Sequence, residues 1–153
     1  MDLKYEIDNV DKQILGHLLQ DARMPYLEIA RKLIVSGGTI HQRIEKMKEA
    51  GIIEGSQVKL NLKKLGYDVT VFLGVHLKST KDLPLVIEKL KTFPEVTEAH
   101  FTTGNYALLV KVNTKNISDF HGFLTEKLQS LESVQATESF ISLDQPIKQV
   151  ISL

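Results

Sequence analysis

"IVSGGTIHQRIEKMKEAGII", residues 34–53, sets two glycines directly after a serine, follows them with a charged run and stops near a third glycine. Two kinds of structure begin this way. One is a glycine-rich loop that cradles a phosphate for chemistry. The other is a serine-capped helix whose first turns enter a DNA groove. A Walker-type loop needs a lysine beside a serine or threonine after its second glycine, and a dinucleotide fold needs a third spaced glycine after a strand. Neither is present, and no strand pattern precedes Ser36. The stretch therefore reads as a helix with Ser36 as N-cap and Gly51 as its stop.

With Ile40 at zero and ~100° per residue, Ile44 and Met47 fall within ~40° of it and form a buried stripe. Gly38, Gln42, Glu45, Lys46 and Glu49 gather opposite, Thr39 and His41 lie on the flanks, and Arg43 sits near the buried edge. The exposed N-terminal half thus presents hydroxyl, imidazole, amide and ammonium groups with a guanidinium alongside. Such groups donate to purine acceptors or bond to phosphates. At the glycines no side chain stands between the free N–H groups of the helix start and a DNA phosphate. The same alternation of Arg43, Lys46 and Lys48 with Glu45 and Glu49 also suits an ordinary solvated face, so the flanking sequence decides.

Upstream, "DNVDKQILGHLLQDA" starts at a plausible N-cap, Asp8, and carries Val10, Ile14, Leu15, Leu18 and Leu19 on one side. "PYLEIARKL" opens on Pro25, which suits a first helical turn, and repeats Tyr26, Ile29, Ala30 and Leu33 at helical spacing. Downstream, "IIEGSQVKLNL" alternates around Glu54-Gly55-Ser56, as a small β-hairpin does. Helix, short turn, helix, then hairpin is the winged helix-turn-helix order. Net charge is zero overall, but residues 22–64 hold nine Lys and Arg against four acids, while the segments on either side are acidic. Local charge is what a phosphate backbone meets.

From Lys63 the pattern changes. "DVTVFLGVHLK" puts Val69, Val71, Leu73, Val75 and Leu77 on one strand face. "DLPLVIEKLKTF" spaces Leu83, Val86, Ile87, Leu90 and Phe93 as a helix, and "VTEAHFTTGNYALLVKV" reads as two strands joined at Thr103-Gly104-Asn105. "NISDFHGFLTEKLQSL" carries Ile117, Phe120, Leu124, Leu128 and Leu131 on one stripe, and "VQATESFISL" closes as a strand. The order βαββαβ is that of a ferredoxin-like fold with both helices on one sheet face. The chain is expected to be α+β, with a winged helix-turn-helix domain over 1–62 and a ferredoxin-like domain over 63–153. Phe72 and Leu109 point to the second sheet face beside Gly74 and Ala107, so a homodimer packed sheet against sheet is expected.

Several functions are disfavoured. There is no cysteine, hence no disulfide, thiolate ligand or cysteine nucleophile. His17, His41, His76, His100 and His121 form no i, i+4 pair and no HExxH, so no metal site or cofactor is expected. No GxSxG elbow occurs, Glu95 and Glu98 straddle a strand, and no catalytic residue is assigned. The apolar runs are too short for a membrane span, and "MDLKYEIDNVDK" lacks the features of a signal peptide, which makes a cytoplasmic home the simplest reading.

With these segments in order, the sequence resembles the Lrp/AsnC family of transcription regulators. The matching text is "IDNVDKQIL", "DARMPYLEIA", "VSGGTIHQRIEKMKEAGII", "LGYDVTVFLGVHLKSTKD", "VTEAHFTTGNYALLVKV" and "VQATES". The resemblance implies a recognition helix on which Ser36, Gly38, Thr39, His41, Gln42, Arg43 and Lys46 meet double-stranded DNA at a pseudo-palindromic operator. It implies a C-terminal RAM domain (ACT-like), dimers assembling into octamers, and control of amino-acid metabolism genes. It also implies an amino-acid effector, with asparagine foremost, bound between dimers. Thr102, Thr103, Gly104, Asn105 and Tyr106 match the effector turn, with Gln135, Thr137 and Glu138 on the last-strand side. In that pocket backbone N–H groups and threonine hydroxyls can hold a carboxylate, and Glu138 can receive an ammonium. Read as an ordinary strand connection, the same turn needs Gly104 only for a positive φ, with Tyr106 in the core. Relatives often have glycine where this chain has Ile34, and an acid where it has Ala107. An effector-independent DNA-wrapping protein and an amino-acid-metabolising enzyme are the alternatives.

Overall fold

The computed structural model describes residues 5–153, so the "MDLK" of the N-terminal stretch lies outside it. The chain forms two compact units, one running to Lys59 and taking in Ile147–Leu153, the other Leu60–Pro146.

In the first unit α1 (Asn9–Gln20) starts at Asp8, whose side chain accepts from Asp11 N–H while Asp11 accepts from Asp8 N–H. This reciprocal box satisfies two donors that a helix start leaves free. α2 (Tyr26–Leu33) follows Pro25, and α3 (Gly37–Glu49) follows Ser36. Gly51 ends the third helix with a φ of 71°, the left-handed geometry that glycine adopts without strain. Ile14, Ile29, Ala30, Ile40, Ile44 and Met47 make the core, as the helical stripes predict.

Between α2 and α3, Ile34 adopts φ 56° and ψ 45°, and Val35 N–H reaches back to Ala30 O (3.0 Å). The turn has thus kept the left-handed geometry expected of a glycine, and a β-branched residue bears the strain. Ile34 is 92% exposed, so its side chain returns little burial for that cost. Left-handed backbone costs an L-residue roughly 1–2 kcal/mol, and glycine gives back part of that gain through its freer unfolded chain. Ile34→Gly is therefore expected to stabilise by about 0.5–1 kcal/mol, read as a higher urea midpoint; an unchanged or lower midpoint would mean the turn is relaxed.

The hairpin expected after α3 is not formed: no strand is assigned between Gly51 and Val69. Val58, Leu60 and Leu62 keep their alternation but are exposed. An isolated two-stranded hairpin with no face to pack is marginal in water.

The second unit contains β1 (Val69–Leu77), α4 (Leu83–Lys91), β2 (Val96–Phe101), β3 (Leu108–Thr114), α5 (Ile117–Gly122) and β4 (Val134–Ile141). The strands form an antiparallel sheet in the order β2-β3-β1-β4. Val71, Leu73, Val75, Val110 and Val112 project toward α4 and α5, where Val86, Leu90, Phe120 and Phe123 meet them. One stripe differs from its expectation. α5 continues into a π-helical turn over Phe123–Leu128, with Gln129 N–H bonding Leu124 O five residues back (2.8 Å). The wider turn shifts the phase, so Phe123, edge-on to Phe93 (5.8 Å), and Leu128 five residues on are both buried; Ile117, at the start of α5, is 53% exposed. Among the described residues, no helix is long and apolar enough to cross a membrane.

Candidate DNA-reading helix and effector turn

The two glycines of the opening stretch do different things. A Cβ on Gly37 would come within 2.8 Å of the Leu27 side chain, so this glycine gives Leu27 room over the head of α3. A Cβ on Gly38 would meet only Ser36 Oγ, at 3.8 Å, leaving the second glycine open to solvent. Ser36 Oγ accepts from Thr39 N–H (3.0 Å) and lies 2.8 Å from Thr39 Oγ1, so both hydroxyls belong to the cap. His41, Gln42 and Lys46 are exposed. The His41 ring tilts against Tyr26, 5.9 Å between centroids, while Lys48 pairs with Glu45 on the same helix (2.8 Å).

Arg43 sits near the buried edge, with its guanidinium turned to the start of α1. Its Nη1 donates to Asp8 Oδ2 (2.8 Å) and to Asp11 Oδ1 (2.9 Å). Asp11 is buried, 1% exposed, and its other oxygen accepts from the Tyr5 hydroxyl (3.1 Å) and from Asp8 N–H. The hydrogen bonds to Asp11 and then Asp8 push the guanidinium's pKa up. The Asp11 N–H and then Arg43 hold the Asp8 carboxyl below its ordinary range. Arg43 thus ties α3 to the start of α1 through Nη1, which both carboxylates share. Its position near the buried edge was legible, but Asp8 and Asp11 lie 35 and 32 residues away in sequence, beyond what periodicity reports. The missed members, Asp8, Asp11 and Tyr5, carried one local signal, an acid three residues after an N-cap acid.

In the second unit the turn between β2 and β3 is closed by Thr102, whose N–H donates to Ala107 O (3.2 Å) and whose hydroxyl donates to Tyr106 O. Thr103, Gly104 and Asn105 are exposed at its tip. Gly104 is not among the residues with positive φ, and a Cβ there would meet nothing within 4 Å. The conformational explanation for this glycine fails; its effect is to leave the turn backbone bare. Tyr106 is not in the core. Its ring lies on the outer sheet face over Gly74, where a Cβ would sit 2.5–2.7 Å from three ring atoms. His76 and Phe140 flank it at 5.1 and 6.3 Å, and its hydroxyl donates to Glu138. That bond raises the tyrosine's pKa, so the hydroxyl remains a donor at neutral pH. A glycine inside a strand was the available signal, since it marks close approach of another group.

The last strand divides the expected effector residues. Glu138 pairs with Gly74 and Thr137 with Val75, and neighbours on a strand point to opposite faces. Glu138 therefore faces Tyr106, whereas Thr137 turns to the helix side and accepts from Gln129 Nε2 (3.0 Å). Gln135 is exposed at the irregularity where the β1–β4 register shifts. The structure joins Tyr106 and Glu138 and leaves Thr137 out of that group. On the outer face Phe72 and Phe140 are each 45% exposed and Leu109 37%, an apolar patch to which sequence reasoning had not assigned Phe140.

Residues 7–54 match the model for a winged helix-turn-helix DNA-binding domain, and residues 70–150 that for the Lrp/AsnC ligand binding domain. The chain is 49% identical over 143 residues to "Regulatory protein AsnC" of Haemophilus influenzae, covering 94% of this chain and 95% of that one. It superimposes on the structure of Escherichia coli AsnC with a TM-score of 0.94 at 45% identity, over 97% of this chain and 100% of that one. A Neisseria meningitidis transcriptional regulator solved as an L-Met complex shares the fold, with a TM-score of 0.89 at 23% identity over 97% and 96% of the two chains. Helices capped at Asp8 and Ser36, a four-stranded sheet in the order given and two matched domains covering most of its length lead to one assignment. The chain belongs to the Lrp/AsnC family of transcription regulators, with a helix-turn-helix DNA-binding part and a ligand-binding part.

Proposed function

We propose that this regulator is an amino-acid-responsive reader of double-stranded DNA that acts as a homodimer on genes of amino-acid metabolism in the cytoplasm. Residues 1–62 carry DNA binding, and 63–153 carry effector binding and oligomerisation. The observation that carries this reading is the head of α3. Gly38 is open, His41 and Gln42 are exposed beside it, and Ser36 fixes the first turn. A two-fold dimer built on the Phe72, Leu109 and Phe140 face sets two such helices into successive major grooves about one helical turn (~34 Å) apart. Four dimers then assemble into an octamer. An amino acid, asparagine first among candidates, binds between dimers at the Thr102–Tyr106 turn and shifts assembly, and with it affinity for spaced sites.

Selection from a random duplex pool is expected to return a pseudo-palindromic site. Gln42→Ala is then expected to relax preference at one base pair in each half-site by ~1–3 kcal/mol, with a much smaller loss on non-specific DNA. Equal losses on both would make Gln42 a phosphate contact. A second reading draws on the Tyr106–Glu138 bond. The acceptor expected to take the effector's ammonium is already engaged, which favours an effector-independent DNA-wrapping protein.

A further inference from the structure

The start of α2 lies along one flank of α3. Pro25, with φ −59°, turns the chain into α2, and its carbonyl accepts from Glu28 N–H (2.9 Å) and Ile29 N–H (3.2 Å). Leu27 covers the head of α3 over Gly37. Tyr26, just before it, is half-buried against the core of the first unit, its ring 5.9 Å from that of His41 and tilted by 41°. At ~100° per residue, Gly37, His41, Glu45 and Lys48 fall within ~80° of one another around α3. They form one stripe on the side of α2.

Lys48 Nζ donates to Glu45 Oε1 (2.8 Å). Glu45, and after it the Tyr26 phenol, hold the Lys48 ammonium above its ordinary range. Lys48 chiefly, and His41 to a smaller extent, draw the Glu45 carboxyl below its own. The exposed His41 ring thus has Tyr26 of α2 on one side and Glu45, one turn along α3, on the other. A free imidazole on a helix surface samples several rotamers, and a DNA contact must freeze one of them at an entropic cost. A ring already held in place avoids that cost. A neutral imidazole also carries its donor and its acceptor on different edges, so its orientation decides which of them a base meets.

We propose that Tyr26 is a positioning residue for DNA reading, its ring holding the His41 imidazole in the orientation that meets a base edge in the major groove. The inference rests on α3 being the helix that enters the groove, and adds to it a residue of the preceding helix. The test is binding of the full-length protein to its selected duplex and to a series carrying each single base-pair substitution, with non-specific DNA alongside. His41→Ala is expected to relax preference at one base pair of each half-site about fivefold or more. Tyr26→Leu is expected to relax the same base pair by a similar factor, and to add nothing in the His41→Ala background. Tyr26→Phe keeps the ring and is expected to keep the parent's preference. Preference is a ratio of two affinities, so a lower folded fraction in a Tyr26 variant cancels from it. If Tyr26→Leu weakens specific and non-specific binding alike, or if its loss adds independently to that of His41→Ala, Tyr26 is a packing residue only and the proposal is overturned. An unchanged preference in His41→Ala overturns it too. Gln42→Ala then separates the cases: relaxation there keeps α3 on the bases without His41, and its absence withdraws the reading of α3 itself.

Discussion

Arg43→Ala is expected to destabilise the N-terminal unit by about 2–3 kcal/mol while leaving the base preference of DNA binding unchanged. The variant strands the Asp11 carboxylate, 1% exposed, with only the Tyr5 hydroxyl and Asp8 N–H as donors. A buried charge that loses its counter-ion costs far more than an exposed pair contributes. Amide exchange in α1 and α3 measures the loss, because those helices are what the guanidinium joins. The pH dependence adds a second check. Asp8 is depressed below its ordinary 3.8 in the folded state, so the stability it contributes is complete above that value. It is lost as pH falls through the lower folded value, where the folded carboxylate takes up its proton. The difference between parent and variant should therefore narrow below that pH. A variant as stable as the parent that loses base preference would return Arg43 to the DNA.

Gly74→Val carries the second large effect. Even the Cβ of a replacement would overlap the Tyr106 ring, so the tyrosine must lift from the sheet and release Glu138. Overpacking of this kind costs about 1–3 kcal/mol. Because Tyr106 and Phe140 cover the face on which the proposed dimer forms, self-association should weaken as well. Tyr106→Phe keeps the ring and removes only the hydrogen bond, and is expected to cost much less than Gly74→Val. Chemical unfolding and sedimentation equilibrium separate the two effects. If Gly74→Val matches the parent in both stability and mass, the tyrosine is free to move and is no fixed part of that face.

What the sequence disclosed and what it concealed divide along a physical line. Caps and periods act within a few residues, so Asp8, Ser36, Gly51 and the alternating strand from Val69 to Leu77 announced the elements and their buried faces. The ferredoxin-like order followed from those elements in turn. Side-chain partnerships between distant segments did not. Arg43 finds Asp11 across 32 residues and Tyr106 finds Glu138 across 32, and neither appears in any local pattern. The π-helical turn at Phe123–Leu128 shifts a stripe that an ideal helical period would place one residue later. Strand alternation, applied to β4, would have separated Thr137 from Glu138; the effector set came from family resemblance, which carries positions but not the directions in which they point. The unformed hairpin shows the converse limit, since alternation records a strand's capacity to pair and not whether a partner is present.

Affinity of the full-length chain for its selected duplex, measured with each of the twenty amino acids at millimolar concentration, is the measurement to make first. Thermal unfolding of the same samples accompanies it. One or two chemically related amino acids, asparagine among them, should change the affinity by ~5–150-fold. The same compounds should raise the melting temperature, since a ligand at a hundred times its Kd adds ~2.7 kcal/mol per site. A DNA affinity and a melting curve indifferent to all twenty would contradict amino-acid control and leave a DNA-wrapping protein in its place.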